Sequence, residues 1–368
     1  MPEPRDRQLM RRALRLAERG WGRVHPNPMV GAVVVRDGVV VAEAWHAEYG
    51  QAHAEAAALR NAGESARGAT LYVTLEPCRH HGKTPPCTDA IVASGVRRVV
   101  FGAADPNPRA GGGAALLAAR GIEVVGGVER AAVRAVDAPF FHVHERGTPW
   151  VTLKLALSLD ARLSRARGER TRITGPSAER AVHQLRAGFD AILVGIGTVL
   201  ADDPLLTVRG PLQPRVAPIR VVLDSAARLP PDGRLALSAA ETPVWLLCAG
   251  EADPVRIDAL EARGVRVLQV PRSPAGLDVA CTLDALWREG VRRVLVEGGG
   301  RVAASLLSAD RVERLHLFQA PVLLGPGGVE AFPLDRPPPP AGWRLRRTKR
   351  WGNDVMVIWD RWRDDAAS

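Results

Sequence analysis

His53 and Glu55 stand two residues apart in the stretch HAE, and Cys78 and Cys87 each follow a proline in the loop LEPCRHHGKTPPC, residues 75–87. The chain has 368 residues and only four cysteines, the others being Cys248 and Cys281. That is too few for a disulfide scaffold, and a close pair beside histidines points to metal binding or catalysis. His53 and Glu55 open one helical stretch, where both can point off its N-terminus, and Cys87 opens the next. A helix N-terminus favours negative charge and lowers a thiol's pKa, which helps make the thiolates that a metal needs. One imidazole and two thiolates make three zinc ligands. A structural zinc site closes with four ligands, whereas three leave a position for water. Zinc brings that water's pKa to roughly 7, and Glu55 is placed to take and return its proton. The alternative reading is a closed structural site completed by His80 or His81.

The elements around these residues alternate. MVGAVVV and VVVAEAWH flank the hairpin signal Arg36-Asp37-Gly38. HAEAAALRNAG reads as a helix stopped by Gly63, and ATLYVTLEP, RRVVFGA and IEVVGGV read as strands, with CTDAIVASG and GAALLAARG as helices between them. Apolar strands alternating with short helices predict a mostly parallel sheet covered on both faces. Upstream, Leu9, Ala13, Leu16 and Ala17 mark one face of an amphipathic N-terminal helix. Near FFHVHERGTPW (140–150) the chain passes into a second half of the same α/β style. Its expected strands are WVTLKLALSL, AILVG, IRVVLDS, VWLLC, VRVLQV, RRVLVEG, RLHLFQAPVLL and DVMVIWD. Its expected helices are SAERAVHQLRAG, TLDALWREG and RVAASLLSAD, and PLDRPPPPAGW (333–343) is expected as a structural loop.

Composition excludes several classes. The net charge is +10, but the arginines are scattered and not clustered with aromatics, which argues against a nucleic-acid face. Nothing approaches the roughly 20 apolar residues of a membrane span. The N-terminal segment has no secretory apolar region, so a cytoplasmic protein is expected. Only Lys83, Lys154 and Lys349 are lysine. Where lysine persists among so many arginines, a compact ammonium is suited better than a planar fork. In the second half, VLVEGGGRVAASLL (294–307) runs from a buried strand through Glu297 into three glycines and a helix. Such a turn lets backbone approach a ligand, and its N–H groups favour phosphate, although many strand–helix turns are glycine-rich for packing alone.

Together these motifs carry a resemblance. H-x-E followed by P-C…C resembles the zinc deaminase signature, here with eight residues between the cysteines instead of two. The long loop, with NPMVGAVVV upstream and DPNPRAGGG downstream, is similar to the deaminase domain of the bifunctional riboflavin-biosynthesis deaminase/reductase family. VTLKLALSLDARL (151–163), LRAGFDAILVGIGTVLADDPLLTVR (185–209) and the triple-glycine turn resemble that family's reductase domain. The resemblance implies an α/β chain with a cytidine-deaminase-like three-layer α/β/α domain over 1–146 and a dihydrofolate-reductase-like α/β domain over 147–368.

The implied substrate is a small molecule, a diamino-pyrimidinone ribosylamino phosphate. It is deaminated to a uracil, and its ribosyl group is then reduced to ribityl by NADPH. His53, Cys78 and Cys87 are the implied zinc ligands, with Glu55 as proton donor and acceptor. Asn27, His46 and Lys83 hold base or phosphate, although each also has a plain structural reading. Ala156, Arg172, Thr198, Asp202, Ser225, Gly299, Gly300, Arg301, Val302, Ala303, Ala304 and Ser305 are implied for the cofactor. Lys154, Asp160, Arg170, Arg186, Leu206, Arg209 and Glu297 are implied for the substrate. No nucleic acid and no membrane are expected, and a homo-oligomer is.

The chain departs from the family's pattern in its second half. Ala161 stands where a glycine is usual, Arg170 where a serine is usual and Arg172 where a tryptophan is usual. Competing readings are a nucleoside or tRNA base deaminase with a non-catalytic reductase-like domain, and a structural zinc module with a dinucleotide sensor. Glu55 discriminates the latter, because a structural site has no use for a carboxylate beside an open position.

Overall fold

The computed structural model describes residues 3–334 and 342–362, and the chain divides into two compact units, residues 1–147 and 148–368. The first unit begins with helix α1 (Pro4–Ala17), which buries Leu9, Ala13, Leu16 and Ala17 as the amphipathic pattern requires. Strands β1 (Gly31–Arg36) and β2 (Val39–Trp45) follow as a hairpin. Its two turn residues, Asp37 and Gly38, have φ of 48° and 79°, the positive pair that a tight hairpin needs. Gly31 lies against α1, where any Cβ would stand 2.0 Å from the Ala13 carbonyl oxygen. Helix α2 (Ala54–Ala62), β3 (Thr70–Leu75), α3 (Cys87–Ser94), β4 (Arg98–Ala103), α4 (Gly113–Ala119), β5 (Glu123–Val125), α5 (Arg130–Val136) and α6 (Ala138–Arg146) complete the unit.

The strand order is β2-β1-β3-β4-β5. Because β1 is antiparallel to both its neighbours while β3, β4 and β5 pair in parallel, four strands run one way and β1 opposes them. The expected mostly parallel sheet holds in strand direction, but two of its four neighbour pairings are antiparallel. The reason is local: a two-residue turn can only reverse the chain. β3 is buried along its whole length and β1 up to its last residue, as a sheet covered on both faces requires. Two features differ from the sequence expectation: α5 and α6 were not foreseen. Helix α6 runs through the expected junction, which shrinks to the few residues before Trp150.

The second unit comprises β6 (Trp150–Leu157), β7 (Arg162–Ser164), α7 (Pro176–Arg186), β8 (Ala191–Gly195), α8 (Ile196–Asp202), β9 (Ile219–Leu223), α9 (Arg234–Leu237), β10 (Val244–Cys248), α10 (Pro254–Glu261) and β11 (Arg266–Gln269). Next come β12 (Arg272–Ser273), β13 (Gly276–Leu277), α11 (Val279–Arg288), β14 (Arg293–Glu297), α12 (Gly300–Ser308), β15 (Arg314–Gln319), β16 (Val329–Glu330), β17 (Trp343–Trp351) and β18 (Asp354–Arg361). Nine strands form one sheet in the order β11-β10-β9-β8-β14-β6-β15-β18-β17. Seven are parallel, and the β17–β18 hairpin adds an antiparallel edge.

The chain starts at β6, moves outward through β8 to β11, and returns to insert β14 between β8 and β6. Such reversals open a crevice at the carboxyl ends of the strands, where α/β proteins bind ligands. All eight expected strands are present. β17 was missed because WRLRRTKRW shows no apolar alternation, and among the described residues only one of its edges is paired, to β18. Residues 335–341 of the expected proline-rich loop lie outside the described residues.

Candidate active sites

The donor atoms of His53, Cys78 and Cys87 lie within 4.8 Å of one another. His53 is the N-cap of α2, Cys87 is the first residue of α3, and Cys78 follows β3, so three element ends converge. His53 turns Nδ1 toward the sulfurs, 3.2 Å from Cys87 Sγ and 3.6 Å from Cys78 Sγ. Its Nε2 lies 3.4 Å from Thr84 Oγ1. The Cys87 backbone N–H points at Cys78 Sγ from 3.4 Å, the helix-start polarity that favours a thiolate. The two thiols share a proton unevenly. Hydrogen bonding from Cys87 lowers the Cys78 pKa, and the same interaction raises Cys87. A soft His/Cys/Cys donor set of this size fits zinc. Neither His80 nor His81 joins it among the described residues, so the closed four-ligand reading is not what the fold builds.

Glu55 sits in the first turn of α2 with 4% of its surface exposed. Burial pushes its pKa up to about 7, with the His53 charge opposing, and a carboxyl poised near neutrality suits proton transfer in both directions. Asn27 and His46 meet: Asn27 Nδ2 is 3.2 Å from His46 Nε2. His46 Nδ1 is 3.2 Å from the Ala52 carbonyl oxygen, so Nδ1 carries the proton and Nε2 accepts from Asn27. Burial holds the His46 pKa down to about 4, keeping the ring neutral, and it packs edge-on against His53 at 5.2 Å between centroids. The Lys83 ammonium lies 4.4 Å from the centre of the Tyr49 ring.

In the second unit, Glu297, Lys154 and His316 are register partners across β14, β6 and β15. Arg186, from the end of α7, forks onto Glu297 at 2.5 and 2.9 Å and donates to the Thr207 carbonyl oxygen at 2.8 Å. Burial alone would raise the Glu297 pKa, but Arg186 and then Lys154 hold it below the usual carboxylate value. Burial lowers Lys154, with Glu297 opposing.

The triple-glycine turn is close-fitted. Gly298 and Gly299 have φ of 85° and 82°, and a Cβ on either would stand 3.5–3.6 Å from Thr198 Oγ1. At Gly300 a Cβ would lie 2.5 Å from the Glu330 carbonyl oxygen. Arg301, Val302, Ala303, Ala304 and Ser305 form the first turns of α12, Ser225 follows β9, and Ala156 pairs with Phe318 across β6 and β15. These residues therefore gather at the carboxyl ends of β6, β8, β9 and β14.

The departing residues have partners too. Burial raises the Asp202 pKa and the Arg170 charge opposes it, which places these two near each other. Arg172 pairs with Glu179 of α7 at 2.7 Å. Leu206 is buried with φ of 51°, and Arg209 donates its backbone N–H to His183 Nδ1 at 3.2 Å. Asp160 accepts from Ser158 Oγ at 2.6 Å and from the backbone N–H groups of Leu324 and Gly325 at 3.1 and 2.8 Å. Those bonds, Ser158 foremost, hold its pKa down to about 2; its observed work is to clamp one turn to another.

The sequence reading missed Thr84, Glu76, His183 and His316. Glu76 had a signal, since it stands two residues before a ligand in EPC; His316 had none.

Comparisons with known proteins agree in both units. Residues 3–103 match the model of the cytidine and deoxycytidylate deaminase zinc-binding region, and residues 149–357 match that of the RibD C-terminal domain. An Escherichia coli (strain K12) riboflavin biosynthesis protein RibD is 43% identical over 87% of this chain and 89% of its own. An Aquifex aeolicus protein of the same name is 37% identical over 97% and 99%. Among solved structures, Acinetobacter baumannii RibD superposes with a TM-score of 0.85 at 35% identity, covering 97% of this chain and 99% of that one. A Thermotoga maritima diaminohydroxyphosphoribosylaminopyrimidine deaminase/5-amino-6-(5-phosphoribosylamino)uracil reductase gives 0.81 at 35% identity, covering 97% and 98%.

Proposed function

This chain belongs to the RibD family, and from that premise we propose how its own residues carry the family's two reactions. It is a deaminase and reductase of riboflavin biosynthesis that uses zinc and NADPH. The reading of a nucleoside or tRNA base deaminase with an inactive second half is not favoured, because the RibD-specific match spans that half.

In our assignment residues 1–146 deaminate and 147–368 reduce. The substrate is 2,5-diamino-6-(5-phosphoribosylamino)pyrimidin-4-one. His53 Nδ1, Cys78 Sγ and Cys87 Sγ hold zinc, which when bound supplies Lewis acidity that makes a water nucleophilic at neutral pH. Glu55 takes a proton from the attacking water and delivers it toward the leaving amino group. A C–O bond forms at ring carbon 2, the C–N bond breaks, and ammonia leaves. Asn27 and the neutral His46 orient the pyrimidine, and Lys83 meets the phosphate.

In the second unit NADPH, when bound, would supply a hydride to the anomeric carbon of the ribosyl group, whose ring C–O bond breaks as the released oxygen takes a proton, so the protein's task is position. The glycine turn with Thr198, Arg301, Val302, Ala303, Ala304 and Ser305 cradles cofactor phosphate. Ala156, Arg172, Asp202 and Ser225 line the cofactor's side, and Lys154, Asp160, Arg170, Arg186, Leu206, Arg209 and Glu297 line the substrate's. A homo-oligomer and a cytoplasmic location complete the proposal; no helix among the described residues is long and apolar enough to cross a membrane.

One observation carries this reading: a three-donor cluster with a buried carboxyl beside it. The test is a mass spectrum of the product formed with NADPH present. Exchange of one amino group for oxygen with gain of two hydrogens supports both halves. Deamination without added hydrogens overturns the reductase half, and an unchanged substrate overturns the whole.

A further inference from the structure

Glu76 lies between β3 and the ligand Cys78, with 8% of its surface exposed, yet it takes no place among the metal-donor atoms. Its carboxylate instead reaches across to the loop 105–114. Oε1 accepts the backbone N–H groups of Gly112 and Ala114, each at 3.0 Å, and Oε2 accepts that of Asp105 at 3.3 Å. On the other side of Cys78, Arg79 donates its backbone N–H to the Ala110 carbonyl oxygen at 3.2 Å and its Nε to that of Gly111 at 2.5 Å. The loop is thus fastened from both residues that bracket Pro77 and Cys78.

The fastening brings it into contact with the ligands. Ala110, 4% exposed, packs with Cys78 and Cys87 as one buried cluster. Gly113 lies so close to Pro77 that a Cβ there would stand 1.8 Å from the Pro77 carbonyl oxygen. Asp105 is near enough for its charge to act on both His53 and Cys78.

We propose that Glu76 is the positioning residue of the deaminase site: it fixes the 105–114 loop against the metal ligands, so that Ala110 covers the two sulfurs and Asp105 is held beside His53. A carboxylate is suited to this because it has only acceptor lone pairs to offer three donors on one loop. The inference rests on the deaminase reading of the site.

The experiment compares Glu76→Gln and Glu76→Ala in the full chain with the parent, assaying deamination and reduction separately. Zinc content and amide exchange are measured alongside. In the Gln variant the amide oxygen keeps Gly112 and Ala114, while the new NH₂ group faces the Asp105 N–H, donor against donor. Deaminase kcat/KM is expected to fall about 10-fold for Gln and about 100-fold for Ala, the scale of a small misplacement at a reacting centre. Zinc stays near parent stoichiometry, reduction stays within about two-fold, and amide exchange across 105–114 speeds up in the same order, with or without zinc.

Deaminase kcat/KM within about two-fold of the parent in Glu76→Ala overturns the proposal. So does zinc lost in step with activity in Glu76→Gln, which would make Glu76 a mere support for Cys78. If Glu76→Ala does not fold, the near-isosteric Gln variant decides. A parent chain without deaminase activity is a failure of the reading beneath the inference and is recognised as such by that control.

Discussion

The candidate deaminase cluster brings His53, Cys78 and Cys87 within 4.8 Å of one another from three element ends, whereas the proposed reductase site spreads over the carboxyl ends of β6, β8, β9 and β14. In the first, side-chain atoms of fixed identity meet at a point, and a metal tolerates few other donors. In the second, as proposed, much of the work falls to backbone at Gly298–Gly300 and to the charged network around Glu297, where several groups share each task. The difference predicts sharp, all-or-none failure in one unit and graded failure in the other.

The sharpest test is Glu55→Gln. The amide keeps the shape and the buried position but cannot take a proton, so deamination is expected to fall by about 10²–10⁴-fold, with zinc content unchanged. Reduction, measured on the deaminated intermediate, is expected to stay at the parent rate. Retained deamination would break the comparison at its strongest point.

Next in size is the Arg186–Glu297 pair, 11% and 8% exposed. Arg186→Met leaves the Glu297 carboxylate buried without its fork, and losing one partner of a buried pair costs about 3–5 kcal/mol. Denaturant unfolding of the second unit measures it. The double variant Arg186→Met/Glu297→Leu is expected to recover much of that stability but none of the reductase activity. Recovery of both would remove the pair from the site.

His316 sharpens the same contrast through pH. Burial, then the charges of Arg314 and Arg346, hold its pKa down to about 3 from 6.5, and its Nδ1 has no hydrogen-bond partner among the described residues. The unfolded chain therefore binds a proton that the folded one refuses between these values. Stability from this group is full above pH 6.5 and is lost as pH falls toward about 3, by a few kcal/mol at most. His316→Leu is expected to flatten that part of the acid dependence while leaving the first unit's cluster untouched. An acid transition identical to the parent's would show that the ring is not held neutral.

Legibility in the sequence follows the same division. The His53, Cys78 and Cys87 cluster could be read because ligand chemistry restricts both residue type and spacing, and the strands because buried parallel strands are continuous apolar runs. β17 could not, since its outward arginines conceal any alternation. Glu76 lay in plain view beside Cys78, but its partners are backbone N–H groups 29–38 residues away, which no local pattern encodes. Asp160 shows what a motif leaves out: its bonds to the Leu324 and Gly325 backbone N–H groups come from a segment 164 and 165 residues away. The direction of β1 followed from its turn, yet the insertion of β1 between β2 and β3 did not, because pairing order is a tertiary choice.

The smallest expected effect concerns Ala161, one of the three positions that the sequence reading set apart from the family's pattern. Ala161 sits in the turn between β6 and β7 with φ of 56°, donating its N–H to the Ser158 carbonyl oxygen at 3.1 Å and accepting from the Ala331 N–H at 3.2 Å. A left-handed backbone brings Cβ toward the following carbonyl oxygen and costs an alanine about 1 kcal/mol, a penalty that glycine escapes. The two hydrogen bonds and the Asp160 clamp hold the turn in that conformation despite the methyl group. Ala161→Gly is therefore expected to stabilise the second unit by about 1 kcal/mol less the added freedom of its unfolded chain, raising its melting midpoint by no more than about 2–4 °C. Reductase turnover is expected to stay within about two-fold, because the backbone path is already the one glycine would take. A lower midpoint would mean that the methyl group packs favourably enough to outweigh the strain. The departure at Ala161 would then be an adaptation of this chain's turn and not a tolerated cost.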